Sequence, residues 1–264
     1  MTALPQLLDL ARSAGEEAAA VLLEGLTRQR VQVTTKSSST DMVTEMDRRS
    51  EAMIVERLLA ARPDDGLLGE EGAERAGTSG ITWVIDPLDG TTNYLYGYPG
   101  FAVSIAAVRD GAALVGVVVD PVHGETFTAT AGGGSHRNGE RLTGPGACDL
   151  GDALLSTGFA YDAARRAAQG LAMAAVLPRV RDLRRGGAAA VDLCWVACGR
   201  VDAFFERGLA PWDLAAGSLI AREAGATVGN LTGGTPGPDA VLAAHPTLFP
   251  QLAALLLGAG ADRA

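Results

Sequence analysis

Four acidic residues stand where apolar segments end. Glu70 follows Leu67-Leu68-Gly69, Asp86 follows Trp83-Val84-Ile85, Asp89 comes three residues later, and Asp213 follows Trp212. An ionised carboxylate held against a core costs several kcal/mol unless it is paired or bound to a metal. Few basic residues lie near these positions in the chain, so a bound cation is the natural counter-charge. The only histidines, His123, His136 and His245, fall in turn-like sequence away from the acids, which argues against a zinc-type site. All-oxygen ligation points to Mg²⁺, with Mn²⁺ or Ca²⁺ as competitors.

The spacing within Asp86-Pro87-Leu88-Asp89-Gly90-Thr91-Thr92 sharpens this. Pro87 bars an ordinary helix start through Asp86, so the two aspartates can converge from the two sides of a turn. A carboxylate bridging two ions about 3.5–4 Å apart marks two-metal phosphoryl chemistry. Gly90-Thr91-Thr92 would then open a helix or turn whose free N–H groups suit a phosphate. The plainer account, a helix stop followed by a turn, weakens once Glu70 and Trp212-Asp213 are set beside the heptad.

Other residues have plainer readings of their own. Asp47 in Thr44-x-x-Asp47 fits a helix cap. Lys36 reads as a solvated charge and Glu206 as a charge at a strand end; the pair Arg184-Arg185 could meet a phosphate, although a solvated pair is the plainer account. Cys194 and Cys198 stand four apart on an apolar helical face and read as inert core thiols rather than metal ligands.

The elements that must carry these side chains follow from periodicity. Leu4, Leu7, Leu8, Ala11, Ala14, Ala18, Val21 and Leu22 predict a long first helix. The β-branched stretch 31–43 predicts a hairpin or extended pair carrying Lys36, and a second helix opens at Thr44. A strand ends at Gly69, another at Asp86, and two more flank the hairpin turn Asp110-Gly111. A further strand covers 125–130, and a glycine-rich turn region covers 132–139. Beyond a polar zone at 143–149, strands at 153–156, 182–184, 203–205 and 241–244 interleave with helices near 163–177, 188–199 and 212–224. This pattern predicts α/β or layered α+β architecture. A chain of 264 residues that is 47% hydrophobic can form one large core or two packed lobes, divided near residue 146.

Net charge −9 and a pI near 4.8 disfavour nucleic acid and anionic membrane as partners. They also require that a site for an anionic substrate bring its own positive charge, which a metal supplies. No apolar run reaches the ~20 residues of a membrane span. Three cysteines and an acidic, helical N-terminal segment point to a cytoplasmic protein.

Leu68-Gly69-Glu70-Glu71, the run Trp83 to Asn93, and Pro211-Trp212-Asp213-Leu214-Ala215-Ala216-Gly217 resemble the inositol monophosphatase family of Mg²⁺-dependent, lithium-sensitive phosphatases. The likeness spans nearly the whole chain, from Lys36 to Thr232-Gly233-Gly234. It implies an αβαβα sandwich forming a single domain over 1–264, with lobes of about 1–146 and 147–264, generally as a homodimer. It also implies a first Mg²⁺ on Glu70, Asp86 and the Leu88 carbonyl, a second on Asp86, Asp89 and Asp213, and a third reached by Glu70 through water, with Mn²⁺ able to substitute. Gly90 and Thr91 would donate backbone N–H groups to a phosphate lying against Asp89. Thr91, tied to Asp47, would orient the attacking water together with Glu70, its proton acceptor, without a phosphoenzyme. That assignment reverses the capping account of Asp47.

The substrate implied is a small polyol phosphate, inositol 1-phosphate first. Glu206 matches the glutamate that bonds inositol hydroxyls in the family, and Gly187-Ala188-Ala189 the segment whose backbone touches the sugar. Gly187 stands where a threonine is common. Relatives with similar metal motifs cleave histidinol phosphate, fructose 1,6-bisphosphate, NADP(H) or 3′-phosphoadenosine phosphates, and these stay open. A non-catalytic phosphate-binding regulatory protein would lack a ligand or the threonine, whereas Glu70, Asp86, Asp89, Thr91 and Asp213 are all present.

Overall fold

The structure is a computed structural model that describes residues 4–26, 33–35 and 42–263. Lys36 lies outside the described residues. Helix α1 (Leu4–Leu26) is followed by a short antiparallel pair, β1 (Val33–Thr35) and β2 (Met42–Thr44), and by α2 (Glu45–Ala61). Then come β3 (Gly66–Gly69), β4 (Glu74–Arg75), β5 (Thr82–Asp89), α3 (Thr91–Tyr96), β6 (Ala102–Arg109), β7 (Ala112–Asp120) and β8 (Glu125–Thr130). Strands β9 (Gly134–Arg137) and β10 (Glu140–Arg141) complete this part. The remainder holds β11 (Leu154–Thr157), α4 (Ala163–Val176), β12 (Asp182–Arg184), α5 (Ala189–Ala197) and β13 (Ala203–Glu206). It ends with α6 (Pro211–Ala224), β14 (Thr227–Gly229), β15 (Val241–Ala244) and α7 (Phe249–Gly258).

An eight-stranded sheet runs β10-β9-β8-β7-β6-β5-β3-β4 and is antiparallel except where β3 and β5 pair. A five-stranded sheet runs β12-β11-β13-β15-β14, with β11 parallel to both its neighbours. Helices α1 and α2 cover one face of the large sheet, α5 and α6 fill the space between the sheets, and α4 and α7 cover the small sheet's outer face. The layers are αβαβα. Strand alternation feeds each core in turn. Trp83 and Ile85 of β5 face α1 and α2 while Val84 faces the middle layer, and in β13 Phe204 points inward and Phe205 outward.

Asp110 and Gly111 adopt φ of 52° and 77°, the left-handed pair that a two-residue hairpin turn demands. Three expectations need correction. The glycine-rich stretch 132–139 is more than a turn, because β9 forms inside it and pairs with β8. Helix α7 lies beyond the last predicted element, its Leu252, Ala253 and Leu256 buried against the small sheet. The strand ending in the Asp86 motif does not stop at Asp86; it continues to Asp89 through a bulge. Asp86 opposes Ser104 and Asp89 opposes Ala102, so β5 spends one residue more than β6 over this step. Pro87, which has no N–H to offer a ladder, sits in that irregularity.

Candidate active site

The bulge has a direct consequence for the acids. Side chains three apart on a regular strand point to opposite faces. One inserted residue returns Asp86 and Asp89 to the same side. Asp213 joins them at the start of α6, whose entry is held when Ser104 of β6, the residue opposite Asp86, donates its hydroxyl to the Trp212 carbonyl at 3.3 Å. Asp86, Asp89 and Asp213 each offer an oxygen, and all three atoms lie within 4.8 Å of one another. Glu70 arrives from β3, parallel to β5, with its own N–H donating to the Ile85 carbonyl at 3.2 Å. Buried Glu51 of α2 shapes that turn by accepting the N–H groups of Glu71 and Ala73 at 2.9 and 3.0 Å.

Backbone donors hold each aspartate. Asp89 accepts from Ala189 (3.2 Å) and Ala190 (2.7 Å) at the N-terminus of α5, and Asp213 accepts from Ala210 (2.6 Å) ahead of α6. Asp86 accepts the Leu88 N–H at 3.1 Å. These bonds do not offset the crowding. Burial first, then Glu70 and the other acids, push Asp86 well above the ordinary aspartate range. Burial and Asp213 do the same to Asp89, and burial raises Asp213 to about 6. No arginine pairs with any of the three among the described residues. Clustered carboxylate oxygens that repel one another, with no basic partner among the described residues, fit a hard divalent cation.

Thr91 opens α3 with its hydroxyl 3.1 Å from the Leu88 carbonyl and 3.3 Å from Asp47 Oδ2. Asp47 is fully buried behind it on α2, and one turn further Ser50 donates to the Pro87 carbonyl at 2.9 Å. Helix α2 thus buttresses both ends of the bulge. Gly90 has φ 92°, and a Cβ there would stand 2.9 Å from the Gly100 carbonyl, so glycine alone fits.

These residues floor a cavity of about 510 Å³. Its far wall holds Gly158, Arg165, Arg185, Gly187, Glu206 and Arg207. Glu206, half-buried at the end of β13, is pushed well above the usual carboxylate range by burial and then by Asp192 and Asp213. Its carboxylate lies against Gly158, where any Cβ would collide with it. Gly187 borders the cavity, while Ala188 is buried and lines a neighbouring cavity of about 110 Å³ instead.

The sequence does not separate Arg184 from Arg185 and favours solvation over a phosphate contact for both. Arg184 does pair with Asp182 at 2.6 Å on the surface, but Arg185 faces the cavity. Sequence reasoning also passes over Ser50 and Asn93, and it names neither Gly158 nor Arg165 individually within the loop 157–169, where the family resemblance places substrate selectivity. Ser50 had a signal, three residues from Asp47 on the same helix face. Asn93 closes the motif run, but nothing in the sequence gives its partners: its amide donates to the Gly100 (2.6 Å) and Gly186 (2.9 Å) carbonyls, a link across the chain that holds the 186–188 segment beside the acids.

The model of the inositol monophosphatase family matches residues 3–259. The chain is 45% identical over 235 residues to the protein named inositol-1-monophosphatase from Mycobacterium leprae, covering 85% of this chain and 81% of that one. It is 47% identical over 201 residues to the protein named Nus factor SuhB from Escherichia coli K12, covering 75% of each. The crystal structure of extragenic suppressor protein suhB from Bartonella henselae superposes with a TM-score of 0.91 at 35% identity, covering 95% of this chain and 98% of that one. With the layered fold and the acidic cavity already in place, these likenesses establish that the chain is a phosphatase belonging to the inositol monophosphatase family.

Proposed function

We propose that the chain hydrolyses the phosphomonoester of a small polyol, inositol 1-phosphate foremost, with Mg²⁺, with water as nucleophile and without a phosphoenzyme. The observation that carries this reading is the convergence of Asp86, Asp89 and Asp213 on the floor of a cavity whose far wall bears Glu206. Glu70, Asp86 and the Leu88 carbonyl would hold one Mg²⁺ and Asp86, Asp89 and Asp213 a second, with Glu70 reaching a third through water. Mn²⁺ suits the same oxygens. When bound, the cations supply the positive charge the phosphate needs and lower the pKa of water.

The remaining work falls to the chain. The N–H groups of Gly90 and Thr91 donate to the phosphate over Asp89. The Thr91 hydroxyl, backed by Asp47, orients the attacking water, and Glu70 takes its proton. The water oxygen attacks phosphorus in line with the ester oxygen, which leaves with the polyol. Glu206 and the backbone at Gly187 bond the polyol hydroxyls, with Ala188 supporting that segment from behind.

The name of the Mycobacterium leprae relative supports the choice of substrate. The same reading takes 1–264 as one domain with lobes divided near 146, a lithium-sensitive, cytoplasmic homodimer. The name of the Escherichia coli relative is not carried over to nucleic-acid contact, because a net charge of −9 opposes it. Among the described residues no helix is long and apolar enough to cross a membrane.

The test is phosphate release with Mg²⁺, with and without lithium. The panel holds inositol 1-phosphate, histidinol phosphate, fructose 1,6-bisphosphate, NADP⁺ and 3′-phosphoadenosine 5′-phosphate. Higher kcat/KM on inositol 1-phosphate than on the other monoesters is expected. A different preferred monoester keeps the chemistry and reassigns Glu206. Silence on all five overturns the reading in favour of a phosphate-binding protein.

A further inference from the structure

Helix α4 buries Ala172, Met173 and Val176 against the small sheet, and Gln169 stands on the same stripe, only 6% exposed. A primary amide on an apolar stripe is costly unless its polar atoms are bonded. The bond here runs back along the chain: Gln169 Oε1 accepts the backbone N–H of Ala160 at 2.8 Å. Arg166, one turn earlier and exposed, donates from Nη1 to the carbonyls of Ala160 (3.1 Å) and Tyr161 (3.0 Å). Asp162 completes the join as the N-cap, its side chain accepting the Arg165 N–H at 2.8 Å. The backbone from Ala160 to Asp162 is thus fastened to the helix that follows it.

That backbone is part of the cavity. Gly158, Phe159, Ala160 and Tyr161 line it on the wall that holds Glu206. Just before them Thr157 donates its hydroxyl to the Phe205 carbonyl at 2.8 Å, which fixes β11 to β13. The segment therefore leaves a fixed strand at Thr157, passes under the Glu206 carboxylate at Gly158, and is fixed again at Ala160. Helix α4 does not need Gln169 or Arg166 in order to start, because Asp162 already caps it. Nor does the loop need them for its polar atoms, since Ala160 is half-buried and Tyr161 exposed, within reach of water. What the two side chains add is a set position for this stretch of wall.

We infer that Gln169 and Arg166 are positioning residues that hold Ala160 and Tyr161 as a rim against the alcohol portion of the substrate, and so determine how tightly an alcohol large enough to reach that rim is bound. The inference rests on the phosphomonoesterase reading above. Neither side chain lines the cavity, so both act through the rim backbone. The competing account is that they only stabilise the first turns of α4.

Two phosphomonoesters separate the accounts: inositol 1-phosphate, whose ring extends toward the rim, and glycerol 2-phosphate, whose short alcohol stays near the acids. With Mg²⁺ present, Arg166→Ala and, separately, Gln169→Leu should each raise KM for inositol 1-phosphate about 5- to 10-fold with kcat nearly unchanged, the scale of one or two lost hydrogen bonds. KM for glycerol 2-phosphate should not move. Arg166→Lys and Gln169→Glu, which keep the donor and the acceptor, should recover most of the lost binding. Tm is measured for every variant, and Arg166, on the surface, gives a folded test whatever happens on replacing buried Gln169. A lower Tm with both KM values unchanged assigns the side chains to α4 alone and overturns the inference. An equal rise in KM on both esters, or a loss confined to kcat, overturns it too and leaves the phosphatase standing. Release of phosphate from neither ester by the wild-type protein overturns the underlying reading and the inference with it.

Discussion

Asp89 accepts the backbone N–H of Ala190 at 2.7 Å, tying the bulged end of β5 to the N-terminus of α5. Its other oxygen takes the Ala189 N–H, so the helix dipole and two donors face a carboxylate that three acidic neighbours repel. This link joins the large sheet to the middle layer at the floor of the cavity.

Asp89→Asn keeps the volume and one acceptor oxygen but turns an amide N–H toward one of the two helix donors. An unmet donor costs about 1–3 kcal/mol, offset by loss of a buried charge. The variant should fold with a Tm within a few degrees of wild type. Its kcat/KM on inositol 1-phosphate should drop by a factor on the order of 10² or more, because a carboxylate that fits the metal is gone. Turnover like that of wild type would remove Asp89 from the metal set.

Gly158→Ala places a methyl group where the Glu206 carboxylate lies, and the glutamate tip is the part that can move. It should raise KM for inositol 1-phosphate about as much as Glu206→Ala does, with stability little changed. In the double variant the two effects should not add, since both act through one carboxylate. Additive losses in kcat/KM would mean that Gly158 serves something other than Glu206.

Asp192 is buried, accepts the Ser156 hydroxyl, and is raised by burial to about 7 against an ordinary value of 3.8. A carboxyl whose folded value lies above its unfolded one holds its proton longer in the folded state. Stability is then lost as pH rises from about 3.8 to about 7, and levels off above. Asp192→Asn keeps an acceptor for Ser156 and removes the titration. Relative to wild type, it should be more stable at pH 8 than at pH 5 by urea midpoint. A difference independent of pH would show that Asp192 does not titrate in this window.

Stripping divalent cations should leave the repulsion among Asp86, Asp89 and Asp213 uncompensated. Adding Mg²⁺ at about 100 times its Kd should stabilise the protein by about 2.7 kcal/mol, several degrees in Tm, where K⁺ at equal ionic strength does nothing. Because these carboxyls are raised, Asp213 to about 6, the Mg²⁺-dependent shift should be smaller at pH 5 than at pH 7.5. Equal shifts from Mg²⁺ and K⁺ would reduce the effect to screening.

Much of the fold was legible because its signals are local. The apolar runs of β5 to β7, helical spacing in α1, and Asp110-Gly111 each depend on neighbours within a few residues. Helix α7 and strand β9 were missed for the opposite reason. The glycines flanking β9 read as a turn, and only pairing with β8 makes the segment a strand. The site divides the same way. The acids showed themselves by standing at the ends of apolar runs, whereas Arg185 and Arg184 are indistinguishable in sequence and differ only in what they face.

The sequence by itself determined the chemistry available: oxygen ligands without histidine, a proline-bearing aspartate motif, a glycine before two threonines, and an acidic chain that needs a cation for an anionic substrate. Local composition suffices for that, since ligand type and charge are properties of the residues. Tertiary structure alone decided which of them meet. The register slip against β6 put Asp86 and Asp89 on one side, and Ser104 brought Asp213 to them. The packing of α2 placed Asp47 behind Thr91, and the segment before α5 turned Arg185, not Arg184, into the cavity. Each of these depends on contacts between segments far apart in the chain, where no periodicity carries the information.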